Sequence, residues 1–324
     1  MKRKILLIRF SSIGDLILIT PIARCLKMQL DAEIHLITKA GFKSVLGNNP
    51  YIEKHWSFEK SILECLNDLK SESFDLVIDL HKNTRSYLLR ILLRKPVYSF
   101  NKINFWKWLM CAFKINLMPD KHLVDRYFEG LQALHVKNDG KGLDYFFNKN
   151  YNFDAIIESL PPKYIVGVLG AAHYTKQIPL EKWRDLIGSV KFPVVLIGGR
   201  KEINLGRQLE MEFPDGFINH AGQFSIEQSA AIIANAFMVI TPDTGMMHIT
   251  AALRKPMHVF WGNTIPQFGM YPYYGTKPGI HRNHEVLNLS CRPCSKLGFP
   301  KCPMNHFNCM MQQQITSDLL DLEM

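Results

Sequence analysis

Asp15 stands in "RFSSIGDLILITP" (residues 9–21), directly after Gly14 and at the head of an apolar run. A carboxylate there has two uses: it can cap a helix start, or it can face a reacting substrate. A second candidate lies in "VITPDTGMMHITAAL" (residues 239–253), where a strand ends and Asp243-Thr244-Gly245 opens a helix. Unpaired N–H groups at a helix start make an anion site. Thr244 adds a hydroxyl, Gly245 lets a ligand approach the backbone, and His248, one turn on, can donate to the same anion. The plainer reading is an aspartate cap with a buried histidine. The stretch "GVLGAAHYTKQIPLEKW" (residues 167–183) repeats the pattern of strand, small-residue loop and helix, with Tyr174, Thr175 and Lys176 projecting from the loop. A lysine so placed supplies positive charge to a phosphate. An ordinary surface lysine is the alternative.

Cys291, Cys294, Cys302 and Cys309 follow a C-x2-C-x7-C-x6-C spacing with His306 among them. Four such ligands suit a structural zinc ion, although the spread second pair equally suits thiols that simply pack. In "NKINFWKWLMCAFK" (residues 101–114), Trp106, Leu109, Met110 and Phe113 share i, i+3, i+4, i+7 spacing with lysines around them. That pattern predicts either a helix resting on an anionic membrane surface or a core helix of the first domain. Several motifs are missing. The only G-x-G is "GKG" at Gly140–Gly142, no G-K-[ST] occurs, and there is no D-x-D. Hydride transfer and P-loop phosphoryl transfer therefore lose support, as does a metal–diphosphate held by paired carboxylates.

The elements that must position these groups alternate along the chain. "KILLIRF", "EIHLIT" and "FDLVIDL" read as buried strands in the first half, with helices over Leu16–Leu30 and Ser61–Leu69. "YIVGVLG", "PVVLIGG", "FMVITP" and "PMHVFWG" are the strands of the second half, and "LEKWRDLIGSV", "SIEQSAAIIANA" and "GMMHITAAL" the helices between them. Such alternation predicts parallel sheets with helices on both faces, an α/β class. Two doubly wound domains are expected, because 324 residues exceed one ordinary core. The boundaries fall at 1–155 and 156–310, with a C-terminal helix over 311–324. The net charge of +10 suits an anionic partner, and without a dense basic tract or RNA-binding signature nucleic acid is the weakest choice. The apolar stretch after "MKRK" is too short for a signal peptide, so a cytoplasmic location is expected. Seven cysteines argue against a disulfide framework.

Taken together, "ILLIRFSSIGDLILITPIARCLK", "FDLVIDLHKNTRS", "HLVDRYFEGLQAL", "LGAAHYTKQIPLEKW", "PVVLIGG" and "TPDTGMMHITAALRKPMHVFWGNTIP" resemble the glycosyltransferase family that contains the lipopolysaccharide heptosyltransferases. The resemblance implies a GT-B fold, two Rossmann-like domains with the active site in the cleft between them and the 311–324 helix packing back toward the first. It implies metal-independent, inverting transfer of a sugar, typically from ADP-heptose, to a lipopolysaccharide core or related lipid-linked acceptor. By position, Asp15 matches the family's general base and Thr175 and Lys176 match donor-phosphate contacts. Asp243, Thr244, Gly245 and His248 match the donor-binding turn. Arg9 and Ser11 would then orient an anionic acceptor beside Asp15. Arg85 is a further acceptor candidate, with a solvated surface arginine as its plain alternative. No cofactor is required for catalysis. The expected partners are the nucleotide sugar, the lipid-linked acceptor and the cytoplasmic face of the inner membrane. Two other readings remain open: a sugar-nucleotide-binding protein without catalysis, and a GT-B-type epimerase.

Overall fold

The alternating runs fold as two all-parallel sheets in a computed structural model that describes residues 2–315. The first sheet holds β1 (Lys4–Ile8), β2 (Glu33–Lys39), β3 (Lys54–Phe58), β4 (Leu76–Asp79) and β5 (Val97–Ser99), in the order β3-β2-β1-β4-β5. The second holds β6 (Ile165–Val168), β7 (Val194–Gly198), β8 (Phe217–Ala221), β9 (Met238–Pro242), β10 (Met257–Phe260) and β11 (His281–His284), in the order β11-β10-β9-β6-β7-β8. Central strands are covered on both faces, which is why "ILLI" and "MVIT" run apolar without alternating. Ile5 to Ile8 are fully buried, and Leu6 and Ile8 pack with Phe10, Ile37, Phe58, Phe74, Val77 and Leu89. The second core gathers Ile165, Leu169, Trp183, Leu196, Ile240 and Phe260. Full burial of one such aliphatic or aromatic side chain stabilises the fold by about 1.5–3 kcal/mol.

Each sheet reverses its winding once. In the first, the chain moves outward from β1 to β2 and β3, then returns to place β4 on the free side of β1. In the second, β6, β7 and β8 run outward before β9 returns to the other side of β6. The carboxyl ends at such a reversal are where open α/β sheets bind ligands.

The chain divides into two compact units. One comprises residues up to Lys102, Lys121–Asn148 and Tyr273–Lys277; the other comprises Ile103–Asp120, Lys149–Pro272 and the residues from Pro278 onward. The division at Asn148/Lys149 precedes the expected 155/156. Residues 149–158 side with the second unit, where the Tyr151 hydroxyl accepts a hydrogen bond from Gln228 at 2.8 Å. Residues 103–120 also belong to the second unit, although their place in the sequence suggested the first domain. The helix expected over Leu16–Leu30 is two helices, Ile13–Leu18 and Thr20–Leu30. The one expected over Ser61–Leu69 is a 3₁₀ turn, Ile62–Cys65, followed by the Leu66–Ser71 helix. Asn308–Met311 forms one short turn of helix. The C-terminal helix expected over 311–324 falls mainly on residues 316–324, outside the described residues.

Candidate active site

In the first unit the β1/β4 reversal point holds Asp15. The chain leaves β1 at Arg9 and starts the Ile13–Leu18 helix with Ser12 at its N-cap. Asp15 reaches back across the first turn. Its Oδ2 accepts the Ser12 backbone N–H at 3.2 Å and the Ser12 hydroxyl at 3.0 Å. Capping is therefore part of its work. Its other oxygen does something a cap does not require: Oδ1 meets Arg9 Nη2 at 2.5 Å. Arg9 is buried, donating through Nε to the Ser11 carbonyl at 2.9 Å and through Nη1 to the Leu80 carbonyl and the Tyr127 hydroxyl. Its guanidinium thus ties the end of β1, the end of β4 and the helix start to one carboxylate. The donors of Arg9 thus go to Asp15 and to the protein's own oxygens, where an acceptor contact was expected. Ser11 contributes its carbonyl to the same network.

Burial by itself would push the Asp15 carboxyl up. The charge and hydrogen bond of Arg9, with the two Ser12 donors, outweigh it and hold the group below its ordinary value. Asp15 is therefore ionised at neutral pH and able to accept a proton. It is a weak base for as long as Arg9 grips it. Its side chain is 18% exposed, within reach of a ligand. Beside it the His81 ring packs on Phe10, with centroids 4.8 Å apart. Burial and the nearby charge of Arg9 push that imidazole down to about 4. Arg85 sits exposed in the first turn of the Thr84–Leu93 helix. Among the described residues no hydrogen bond or ion pair joins it to Arg9, Ser11 or Asp15.

In the second unit the β6/β9 reversal point brings Lys176 to Asp243. Lys176 ends a 3₁₀ turn after β6, and its Nζ lies 2.6 Å from Asp243 Oδ2. Thr264, after β10, donates to the same oxygen at 2.7 Å. Asp243 is not the helix cap: Thr244 takes the N-cap position, and its side chain makes no capping bond to the Gly245–Ala252 helix. The start of this helix is thus left uncapped by the Thr244 side chain, and a lysine ammonium is held on Asp243, the residue before the cap. This pairing of dipole and cation suits an anion. Asp243 itself repels one, so it acts on an anionic ligand through the lysine it holds. His248 is buried within the helix.

Thr175 does not join this group. It is buried, its hydroxyl accepting the Phe299 N–H at 2.8 Å and its carbonyl accepting the Asn263 N–H at 3.2 Å. It fixes the turn that carries Lys176. Gly262 lies against the same turn, where an added Cβ would collide with the Thr175 carbonyl oxygen. Arg292 clasps the other side, donating to the carbonyls of Gly262 at 2.7 Å and Thr264 at 2.8 Å. Thr264, Arg292 and Tyr127 went unseen in the sequence, because none carries a local motif and each finds its partner only across the fold.

The cysteines cluster loosely. Cys291 Sγ lies 3.9 Å from His306 Nε2, and Cys294 donates to the Cys291 carbonyl at 3.0 Å. Burial pushes the Cys294 thiol up to about 11 and Cys309 to about 12. Among the described residues, no three of the four cysteines and His306 present donor atoms within 4.8 Å of one another. Glu33, His35 and Glu72 do. They lie toward the amino ends of the strands, where Lys4 and Lys54 already pair with Glu72 at 2.7 and 2.5 Å.

The description "Glycosyltransferase family 9 (heptosyltransferase)" belongs to the family model that matches residues 62–297. The chain belongs to this family. It is a glycosyltransferase, and the match spans both Lys176 and Asp243. Lipopolysaccharide heptosyltransferase 1 of Campylobacter coli is 24% identical over 81% of this chain and 84% of its own length. Among solved structures, a family 9 glycosyltransferase from Veillonella parvula superposes with a TM-score of 0.70 at 21% identity, covering 90% of each chain. The E. coli ADP-heptose LPS heptosyltransferase II superposes with a TM-score of 0.66 at 20% identity, covering 92% of this chain and 93% of that one. The fold is GT-B. No helix among the described residues is long and apolar enough to cross a membrane.

Proposed function

We propose that this family 9 glycosyltransferase transfers a heptosyl group from ADP-heptose to a lipopolysaccharide core acceptor, with inversion and without a metal ion, on the cytoplasmic face of the inner membrane. The observation that carries the reading is the Lys176–Asp243 pair beside the start of the Gly245–Ala252 helix. A departing nucleoside diphosphate gains negative charge as the sugar leaves, and a positioned ammonium with first-turn N–H groups stabilises that charge. These groups do what a D-x-D-bound cation does elsewhere. Asp15 accepts the proton of the attacking hydroxyl. The heptose, the lipid-linked acceptor and the inverting outcome follow the relatives' substrates and the family resemblance.

The test incubates the full chain with ADP-heptose and a purified core oligosaccharide that lacks heptose, in EDTA. Mass spectrometry of the acceptor should show one added heptosyl group, NMR should show inverted anomeric configuration, and EDTA should leave the rate unchanged. Donor isomerisation without acceptor would favour the epimerase reading. Prompt loss of turnover in EDTA with the fold intact would exclude the metal-free mechanism.

A further inference from the structure

The Asn104–Phe113 helix has no buried residue. This overturns the core-helix reading of residues 101–114, and it also redraws the predicted stripe. Leu109 and Met110 are half-buried on one side together with Lys107 and Cys111. Phe105, Trp106, Trp108 and Phe113 point outward, at 61, 36, 54 and 61% exposure, and Ile115 and Leu117 continue the exposed run. The outward rings pack on one another: Phe105 lies 5.1 Å from Trp106 and 6.0 Å from Trp108, and Trp108 lies 5.5 Å from Phe113. Exposed apolar patches of this kind mark interaction surfaces. Of the 18 exposed large apolar side chains among the described residues, 6 lie in this stretch, so the exposure is concentrated.

From this geometry we infer that residues 104–117 are a membrane-docking element that beds its aromatic face into an anionic leaflet. Charge identifies the occupant. From Asn101 to Pro119 the sequence has three lysines and no acidic residue. Exposed Lys114 caps the carboxyl end of the helix, and exposed Lys296 reaches its amino end, bonding Asn104 Oδ1 at 3.3 Å. Tryptophan at the headgroup level flanked by lysine is the pattern of an interfacial segment. Ten helical residues are too few to span a bilayer, so the helix lies in the plane of the interface. Its mounting is firm: Lys114 Nζ also donates to the Pro293 carbonyl at 2.8 Å, so both ends are tied to the 293–296 segment of the second unit. The inference rests on the lipid-linked acceptor of the proposed function for its purpose, not for its evidence.

The experiment is co-sedimentation of the full chain with vesicles of phosphatidylethanolamine and phosphatidylglycerol (3:1), against vesicles of phosphatidylcholine alone. Tryptophan quenching by brominated acyl chains is read in parallel. The wild type should bind the anionic vesicles, release in high salt and be quenched. Trp108→Ser with Phe113→Ser, whose side chains hold no core, should keep the wild-type melting temperature and lose at least tenfold in partitioning and most of the quenching. Undiminished binding by this double variant would overturn the inference. So would equal binding to phosphatidylcholine in high salt, or a dimer in sedimentation velocity that the double variant breaks, since a second copy would then cover the face. Vesicle binding that depends on the two aromatics while no heptosyl transfer occurs with any acceptor would overturn the proposed function and leave this element standing. Transfer to a soluble acceptor fragment with no vesicle binding would do the reverse.

Discussion

The Arg9–Asp15 and Lys176–Asp243 pairs are the same device used in opposite senses. Each is a carboxylate and a cation at the reversal point of a parallel sheet, just before or within the start of a helix. In the first, the cation is spent. Arg9 is buried and divides its donors among Ser11, Leu80, Tyr127 and Asp15, so the carboxylate is the member left for chemistry. In the second, the carboxylate is spent. Asp243 Oδ2 takes both Lys176 and Thr264, while the ammonium has three donors and Asp243 needs one. Under the proposed function one pair presents a proton acceptor and the other an anion holder, the division of labour that sugar transfer from a nucleoside diphosphate demands.

The sharpest way to break the comparison is Asp15→Asn. The amide still accepts from Ser12 and keeps the cap, but it cannot take a proton. We expect kcat to fall by roughly 10²- to 10⁴-fold with donor KM near native, and stability to fall as well, because buried Arg9 loses its charged partner. Retained turnover with about 1 kcal/mol less stability would reduce Asp15 to a cap. Arg9→Met comes next. It leaves a part-buried carboxylate and the Leu80 carbonyl without their partner, and breaking such a pair costs about 3–5 kcal/mol in chemical denaturation. A loss under 1 kcal/mol would mean that the network adds little to what the β1–β4 ladder already holds. Lys176→Ala should cost less and in a different currency: a charge-assisted hydrogen bond is worth about 1.5–3 kcal/mol, so kcat/KM for the donor should drop roughly ten- to hundredfold with stability little changed. Unaltered donor kinetics would remove Lys176 from the site.

The smallest effect is shared by both units. His81 in the first and His284 in the second are held neutral, each pushed down to about 4 mainly by burial. A depressed pKa contributes stability that is complete above the unfolded value near 6.5 and is lost as pH falls toward the folded one. Melting temperature should therefore decline from pH 6.5 to 4. His81→Asn should flatten the decline through the first unit and His284→Asn through the second, and an unchanged slope in both variants would assign the acid loss to other groups.

Most of the fold was legible because central parallel strands are apolar on both faces. The strands that escaped notice are β3 (KHWSF), β5 (VYS), β8 (FINHA) and β11 (HRNH), which are the four sheet edges. An edge strand is half-covered and carries polar side chains, so its run looks like a loop. The site shows the same divide. Asp15, Lys176 and the Thr244–Gly245 helix start were visible because each sits where a strand gives way to a helix. The function of Arg9 was not, since Leu80 and Tyr127 reach it from 71 and 118 residues away. Nor was the outward face of the 104–113 helix, because spacing alone cannot say which side of an apolar helix the protein covers.

Gly262 carries a consequence for how such a site can change over generations. A Cβ added there would meet the turn that presents Lys176, and the Thr175 carbonyl in that turn is already engaged by Asn263. Any side chain at 262, even a methyl group, must push that turn and the lysine with it. No gradual path of ever larger residues leads away from glycine. A descendant that alters this position must reshape the Thr175 turn in the same step, so the register between strand β10 and the lysine is inherited as one unit.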